Sequence, residues 1–276
     1  MCLQSVYIWN YVVNRFTVVL GVILHRIPRK RSLPQEFMEL TKNRHARWLF
    51  DGAADRYDMV AQIFSFFQYG RWRRYLISRL NAGPEDRVMD PCTGTAGVAL
   101  HIVRTYQSRV VALDISPHML ALARHKTANA GLQENIGFMM GRAENLAFAD
   151  GSFDAACVTY LLRYVDDPKA TLAEILRVIK PGGRLLALDF QVPENPVVRG
   201  LWYLYTRAVL PLATRLVSPG WREVGGFLGP NISRFCRSYP VGKLEQIWGE
   251  LGIEDIHVKR LSLGGAVVMW GTKSGG

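Results

Sequence analysis

Asp90 closes a short apolar run, R-V-M-D, and the turn P-C-T-G-T-A-G at Pro91–Gly97 follows it directly. Between a parallel strand and a helix, a glycine turn lets a ligand approach backbone that no Cβ shields. A second acid, Asp114, closes the next apolar run 24 residues further on, at the place where a strand-end carboxylate meets the hydroxyls of a ribose. The dinucleotide pattern G-x-G-x-x-G is not met, because the turn holds Gly94 and Gly97 and no third glycine. Asp90 stands in its first half instead. A carboxylate there repels a pyrophosphate and suits a cationic ligand, such as the amino group of S-adenosylmethionine (SAM). The stretch thus points to SAM rather than to NAD. Taken alone, it is also compatible with the glycine turn of any α/β protein.

Elements able to position these residues follow from the periodicity. From Arg87 onward strands and helices alternate, with strands expected at Arg87–Asp90, Arg109–Asp114, Asn135–Met140, Phe153–Thr159, Arg184–Phe190, Ile253–Arg260 and Ala266–Gly271. Helices are expected at Gly97–Thr105, Pro117–Ala130 and Pro168–Ile179, the last ending at Pro181-Gly182-Gly183. Upstream, Tyr57–Leu80 reads as helical, with its aromatics as core; some of them lining a hydrophobic substrate mouth is the alternative. The alternation breaks at Gln191–Tyr239, which holds an apolar helix, Val197–Leu216, interrupted at Pro211, and a stretch with Gly220, Gly225, Gly226 and Gly229. Insertions beyond the carboxyl ends of a parallel sheet often cover the ligand crevice, so a substrate lid over residues 191–240 is expected. Packing of the insertion on a sheet edge is the alternative.

The 276 residues suffice for one full α/β domain with additions. A formal charge of +11 is high, and residues 1–74 hold 12 Lys/Arg against 5 Asp/Glu. Charge so concentrated points to an anionic surface. Nucleic acid is not expected as a partner, since no zinc-finger spacing, RNA-binding signature or helix-turn-helix pattern accompanies it. Cys2, Cys92, Cys157 and Cys236 form no C-x-x-C pair, so neither a metal site nor a disulfide framework is indicated and a reducing cytoplasmic setting fits. At the N-terminus, Asn10, Asn14, Thr17 and Gly21 fall on one helical stripe of an otherwise apolar run, followed by H-R-I-P-R-K-R at His25–Arg31. This suits a helix lying in a membrane interface with its basic end at anionic headgroups, so an anionic membrane partner is expected through residues 5–31. A helix packed on the protein or on a second subunit is one alternative. A poorly fitting transmembrane anchor, or an extension translated from an upstream start, is the other. Residues 1–47 are read as this helix and a basic linker, and 48–273 as the catalytic domain.

Five stretches carry a resemblance: F-D-G-A-A-D-R-Y-D at Phe50–Asp58, the D-P-C-T-G-T turn, A-L-D-I-S-P-H-M-L at Ala112–Leu120, A-E-N-L-A-F-A-D-G-S-F-D at Ala143–Asp154, and L-L-R-Y-V-D-D through L-R-V-I-K-P-G-G-R-L-L-A-L-D-F at Leu161–Phe190. In these the chain resembles class I SAM-dependent methyltransferases, and within them the ubiquinone/menaquinone-biosynthesis C-methyltransferases. The resemblance implies a Rossmann-like α/β fold with a mostly parallel seven-stranded sheet, helices on both faces, and SAM as cofactor. Carried over by position, it implies cofactor contacts at Thr95, Asp114 with its neighbour Ile115, Arg142, Ala143 and Thr159. Asp90 and Gly94 would shape the same pocket, and Tyr57 would close over the methionine end. The chain departs from the family at Arg142, usually Asp or Asn, at Ala96, usually glycine, and at Phe227–Phe235, where a Leu-Pro-Glu-Ser segment is usual.

Methyl transfer from a sulfonium is an in-line displacement, which gains most from orienting the two reactants. A hydroquinone carbon becomes nucleophilic as its phenol loses a proton, and a fixed cation facing that oxygen lowers the barrier. Arg163 is the first candidate, with Tyr164 beside it; a surface salt bridge to Asp166 or Asp167 is its alternative. Arg234 and Tyr239 are second candidates. The expected activity is C-methylation of a lipid-soluble quinol by a cytoplasmic, peripherally membrane-associated enzyme. Its alternatives are methylation of another lipid or metabolite, such as a phospholipid amine, and a SAM-fold protein without catalysis. A hydrophobic acceptor and a second copy of the chain are the further partners expected.

Overall fold

In the computed structural model, residues 42–54 and 56–275 are described. The expected amphipathic helix and membrane contact at residues 5–31 lie outside them. Strands β1 (Arg87–Asp90), β2 (Arg109–Asp114), β3 (Ile136–Met140), β4 (Phe153–Thr159), β5 (Ile179–Phe190), β6 (Ile253–Leu261) and β7 (Ala266–Lys273) form one sheet in the order β3-β2-β1-β4-β5-β7-β6. All neighbours pair parallel except β7, which runs antiparallel to both β5 and β6. Successive strands are added outward to one side of β1 as far as β3 and then to its other side from β4, which makes a topological switch point, and the crevice beyond the strand ends there is where ligands bind in such sheets.

Alternation along the strands builds a core on each face. Met89, Ala156, Val158 and Leu185 point to one side, packing with Leu172, Ile175 and Leu176 of α6 (Pro168–Val178) and Leu244, Ile247 and Trp248 of α10 (Val241–Glu250). Val88, Ala155, Cys157, Leu186 and Leu188 point to the other, against α3 (Tyr69–Ile77) and α4 (Gly97–Tyr106). Four helices begin with a capping residue followed by proline, whose missing N–H costs nothing in a first turn. These are Ser116-Pro117 of α5 (Pro117–Asn129), Asp167-Pro168 of α6, Asn195-Pro196 of α7 (Pro196–Leu204) and Ser218-Pro219 of α9 (Pro219–Ser238), and in each the cap side chain accepts from a first-turn N–H.

Two expectations are corrected, and one stretch left without an assignment is resolved. A helix, α1 (Lys42–Ala53), replaces the basic linker expected up to Trp48. Tyr57–Leu80 is not one helix but α2 (Tyr57–Phe64) and α3, broken where Phe66 and Phe67 adopt left-handed φ of 52° and 62°. Gln62 stabilises the break by donating to the Phe67 carbonyl at 3.0 Å and accepting from the Gly70 N–H at 3.0 Å. The glycine-rich stretch is helical: α9 runs through it because a Cβ at Gly220 would overlap the Gly52 carbonyl and one at Gly225 would overlap Thr214 Oγ1. These glycines serve close helix packing, not a turn. The apolar helix before it is interrupted as expected, as α7, a π-helical turn at Tyr205–Val209, and α8 (Leu210–Thr214). In a regular helix the Pro211 ring would clash with the carbonyl four residues back, and the wider turn relieves this.

Candidate active site

Asp114 and Thr159 are the last residues of β2 and β4, Gly94 lies just past the adjacent β1, and the three line one cavity with Ile115, Ala143, Tyr57 and Tyr164. Gly94 has φ of 54°, a conformation open to glycine without strain. Its N–H donates to Asp114 Oδ2 at 2.8 Å, and the Ser116 N–H donates to Oδ1 at 2.9 Å. The Asp114 carboxylate is thus fixed by backbone while keeping lone pairs for a ligand diol. Burial raises its pKa, and these backbone donors oppose the rise.

Asp90 is wholly buried, and burial pushes its pKa up to about 7. One carboxylate oxygen accepts from Thr93 Oγ1 at 2.8 Å, while Oδ1 has no hydrogen-bond partner among the described residues. Asp90 lines neither cavity, and the backbone N–H of Ala99 in α4 lies toward its carboxylate, so the expected place of Asp90 in the ligand pocket is corrected: it braces the turn through Thr93. Between Gly94, the Asp114 carboxylate and the small, buried Ala143, the cavity fits an adenosyl ligand.

Two expected contacts are placed elsewhere. The Thr95 hydroxyl donates to Asp58 Oδ2 at 2.7 Å, beneath the turn. Lys126 reaches the same oxygen at 2.7 Å, and Arg73 the other at 3.5 Å. Burial alone would raise the Asp58 pKa, but these two cations and the Thr95 bond bring it below the ordinary value. Thr95 therefore pins α2 to the turn. The Arg142 side chain is exposed and pairs with Glu144 at 3.2 Å; Ala143 and Glu144, not Arg142, line the cavity. Gly97 has a role the spacing did not show, since a Cβ there would overlap Arg73, whose guanidinium lies 3.7 Å over the Tyr69 ring and itself lines the cavity.

A larger cavity of about 240 Å³ adjoins the first, the two sharing Phe50, Tyr57, Tyr69, Tyr160 and Tyr164. Its walls are overwhelmingly aromatic and aliphatic, supplied by α2, α3, α7 to α9 and the π turn. Tyr57 stacks on Trp221 at 5.7 Å, and Tyr160 stacks between Tyr69 at 5.8 Å and Phe190 at 4.8 Å. Tyr160 holds a left-handed φ of 58°, a strained state for an aromatic residue, and its hydroxyl is buried without a partner among the described residues.

Arg163, on the 3₁₀ turn Leu162–Tyr164 after β4, is buried and lines this larger cavity. It makes no surface salt bridge to Asp166 or Asp167. Its Nε donates to Asp189 Oδ1 at 2.6 Å, and Nη1 donates to Asn231 Oδ1 at 2.8 Å and to the Tyr164 hydroxyl at 3.2 Å. Nη2 remains without a protein partner among the described residues. Burial disfavours the charged guanidinium, but Asp189 and Tyr164 outweigh it and hold the group cationic. Arg234, by contrast, is exposed on α9 and lines neither cavity, and Tyr239 packs on Phe235 at 5.4 Å in the core. The helix face turned both away from the crevice. Asp189 was not anticipated, although its signal was available: it is the third acid near the tip of a parallel strand, after Asp90 and Asp114. Tyr160, Arg73 and Asn231 had no such signal.

Comparison with known proteins agrees with this geometry. A demethylmenaquinone methyltransferase of Lactiplantibacillus plantarum is 30% identical over 227 residues, covering 82% of this chain and 94% of its own. The ubiquinone/menaquinone biosynthesis C-methyltransferase UbiE of Syntrophotalea carbinolica is 36% identical over 224 residues, 80% of this chain and 90% of its own. Among solved structures, a SAM-dependent methyltransferase from Thermotoga maritima shares the fold with a TM-score of 0.56 at 20% identity, over 83% of this chain and 100% of that one. A geranyl diphosphate methyltransferase in complex with SAM does so with a TM-score of 0.54 at 13% identity, over 83% of this chain and 94% of that one. The model of the ubiE/COQ5 methyltransferase family matches residues 38–273, and with a crevice that fits SAM beside a buried arginine, the chain belongs to that family and is a SAM-dependent methyltransferase.

Proposed function

We propose that the enzyme methylates a ring carbon of a lipid-soluble quinol, and the observation that carries this reading is a desolvated cation, Arg163, in an otherwise apolar aromatic cavity next to the cofactor crevice. Relatives named for demethylmenaquinone and ubiquinone/menaquinone methylation support the choice of acceptor.

SAM supplies an electrophilic methyl group when bound. Asp114 would take its ribose diol, and Ala143 would lie against the adenine. The residues of the larger cavity have other tasks. Stacked aromatics such as Tyr57, Trp221 and Phe190 exclude water and hold a flat ring. Arg163 Nη2 donates to the phenolic oxygen, so that negative charge growing there is met by a fixed cation in a low-dielectric site. Asp189 and Asn231 hold the guanidinium in place, so little reorganisation accompanies the reaction. The Tyr160 hydroxyl is a second donor for the acceptor's oxygens. The helical segments over residues 191–240 act as the lid of this site, and attachment to an anionic surface on the cytoplasmic side through residues 5–31 would bring it to its acceptor.

The test is an activity screen of SAM with quinols and phospholipids, read by product mass. Methylation of a demethylmenaquinol at carbon, with phosphatidylethanolamine unmodified, is the expected result. Methylation of the amine lipid alone would overturn it.

A further inference from the structure

Residues 196–216 roof the larger cavity with one side and face outward with the other. Tyr205, Thr206, Leu210 and Thr214 line the cavity. Val197, Leu201, Leu204, Val209, Leu212 and Leu216 are between 48% and 73% exposed. Their spacings are 4, 3, 5, 3 and 4. Steps of three and four keep to one face of an α-helix, and the single step of five falls on the π turn at Tyr205–Val209. The stripe therefore continues across the irregularity that Pro211 imposes. A run of this many exposed large apolar residues marks an interaction surface.

Charge selects the partner. Residues 195–222 carry Arg199, Arg207, Arg215 and Arg222, all exposed, and not one Asp or Glu. A second copy docked here about a two-fold axis would set these arginines against themselves. The chain's own first 35 residues also hold no acid, and carry a basic cluster at His25–Arg31. Both occupants are of the wrong sign. An amphipathic face with apolar residues and arginines suits the interface of a bilayer containing anionic lipid. Phe66, at once 55% exposed and part of the cavity wall, lies 5.1 Å from the Tyr205 ring, so the cavity reaches the surface beside this stripe.

We propose that the outer face of residues 196–216 docks on an anionic lipid bilayer, with the mouth of the larger cavity opening at the lipid surface. Docking stands on the face itself; only its use in delivering the acceptor rests on the quinol reading above.

Flotation of the full chain with phosphatidylcholine vesicles, with and without phosphatidylglycerol, tests it. Leu201→Asn/Leu204→Asn/Leu212→Asn should lower partitioning roughly ten-fold or more. Arg199→Gln/Arg207→Gln/Arg215→Gln should lower it roughly 100-fold on phosphatidylglycerol vesicles only, since each basic residue contributes about five-fold at an anionic surface. None of these side chains lines the cavity, so both variants should melt as the parent does and turn over a short-chain, water-soluble quinol at the parent rate. Turnover of a vesicle-embedded quinol should fall in step with binding. Partitioning unchanged in both variants, as attachment through residues 5–31 alone would give, overturns the proposal. So does a parent dimer that the leucine variant converts to monomer by light scattering without loss of vesicle binding. If vesicle binding falls as expected but no quinol is methylated, docking stands and the acceptor assignment fails.

Discussion

On the cofactor side of the crevice, Gly94, Asp114 and Thr159 follow three adjacent parallel strands, and each lies within a few residues of the strand that positions it. On the acceptor side, the wall combines Phe50 and Tyr57, Trp72, Tyr160 to Tyr164, Phe190, and residues from Trp202 to Ile232. One side has its anchoring residues at neighbouring strand tips, held by backbone hydrogen bonds to a carboxylate. The other is apolar, assembled from distant segments and held by packing. The chain can therefore change its acceptor by exchanging side chains on the cap helices while the cofactor site stays as it is. Its departures from the family at Phe227–Phe235 lie on α9, one of those cap helices.

Substitutions confined to one side should leave the other untouched. Asp114→Ala should have the largest effect, removing the acceptor that holds both Gly94 and Ser116. SAM affinity by calorimetry should fall roughly 100-fold or more, as a lost pair of charge-assisted bonds to a buried ligand would cost, while the circular dichroism spectrum stays native. Retained affinity within a few-fold would break the comparison.

Arg163→Lys keeps a charge and loses the fork. Turnover should fall roughly 100-fold, the cost of one misplaced donor to a developing oxyanion, with SAM affinity unchanged. Arg163→Gln alone strands Asp189 as a buried charge and should destabilise the fold by about 3–5 kcal/mol. Adding Asp189→Asn should restore much of the stability without restoring turnover. That pair separates a role in folding from one in chemistry.

Gly225→Ala forces a methyl group onto Thr214 between α9 and α8 and should cost about 1–3 kcal/mol. Because Gly225 also lines the larger cavity, the acceptor KM should rise while SAM affinity holds.

The most gradual effect concerns pH. Asp90 titrates near 7 in the fold, above its value in the unfolded chain, so the folded state binds the proton more tightly. Its contribution to stability is complete below about pH 4 and is lost as pH rises toward 7, at no more than about 1.4 kcal/mol per pH unit. Urea unfolding of Asp90→Asn should show a flatter dependence in that window than the parent does.

Strand positions were legible because period-two alternation and β-branched residues record burial on both faces, and β1, β2 and β4 start and stop where the pattern does. That Gly94 and Asp114 line one cavity was legible for a related reason: residues at the tips of adjacent strands meet in the same crevice. Arg163 was found as a candidate, but not its setting, since Asp189 and Asn231 lie 26 and 68 residues away. The sequence by itself determined the strands, the glycine turn and the helix starts at Gly97, Pro117 and Pro168, all of which depend on neighbours within a few residues. Only the tertiary structure decided that Thr95 bonds Asp58, that the glycines of α9 serve helix packing, that Arg234 faces solvent and that Arg163 is buried. Each of these depends on which distant surface arrives opposite, and contact between remote segments leaves no local period to read.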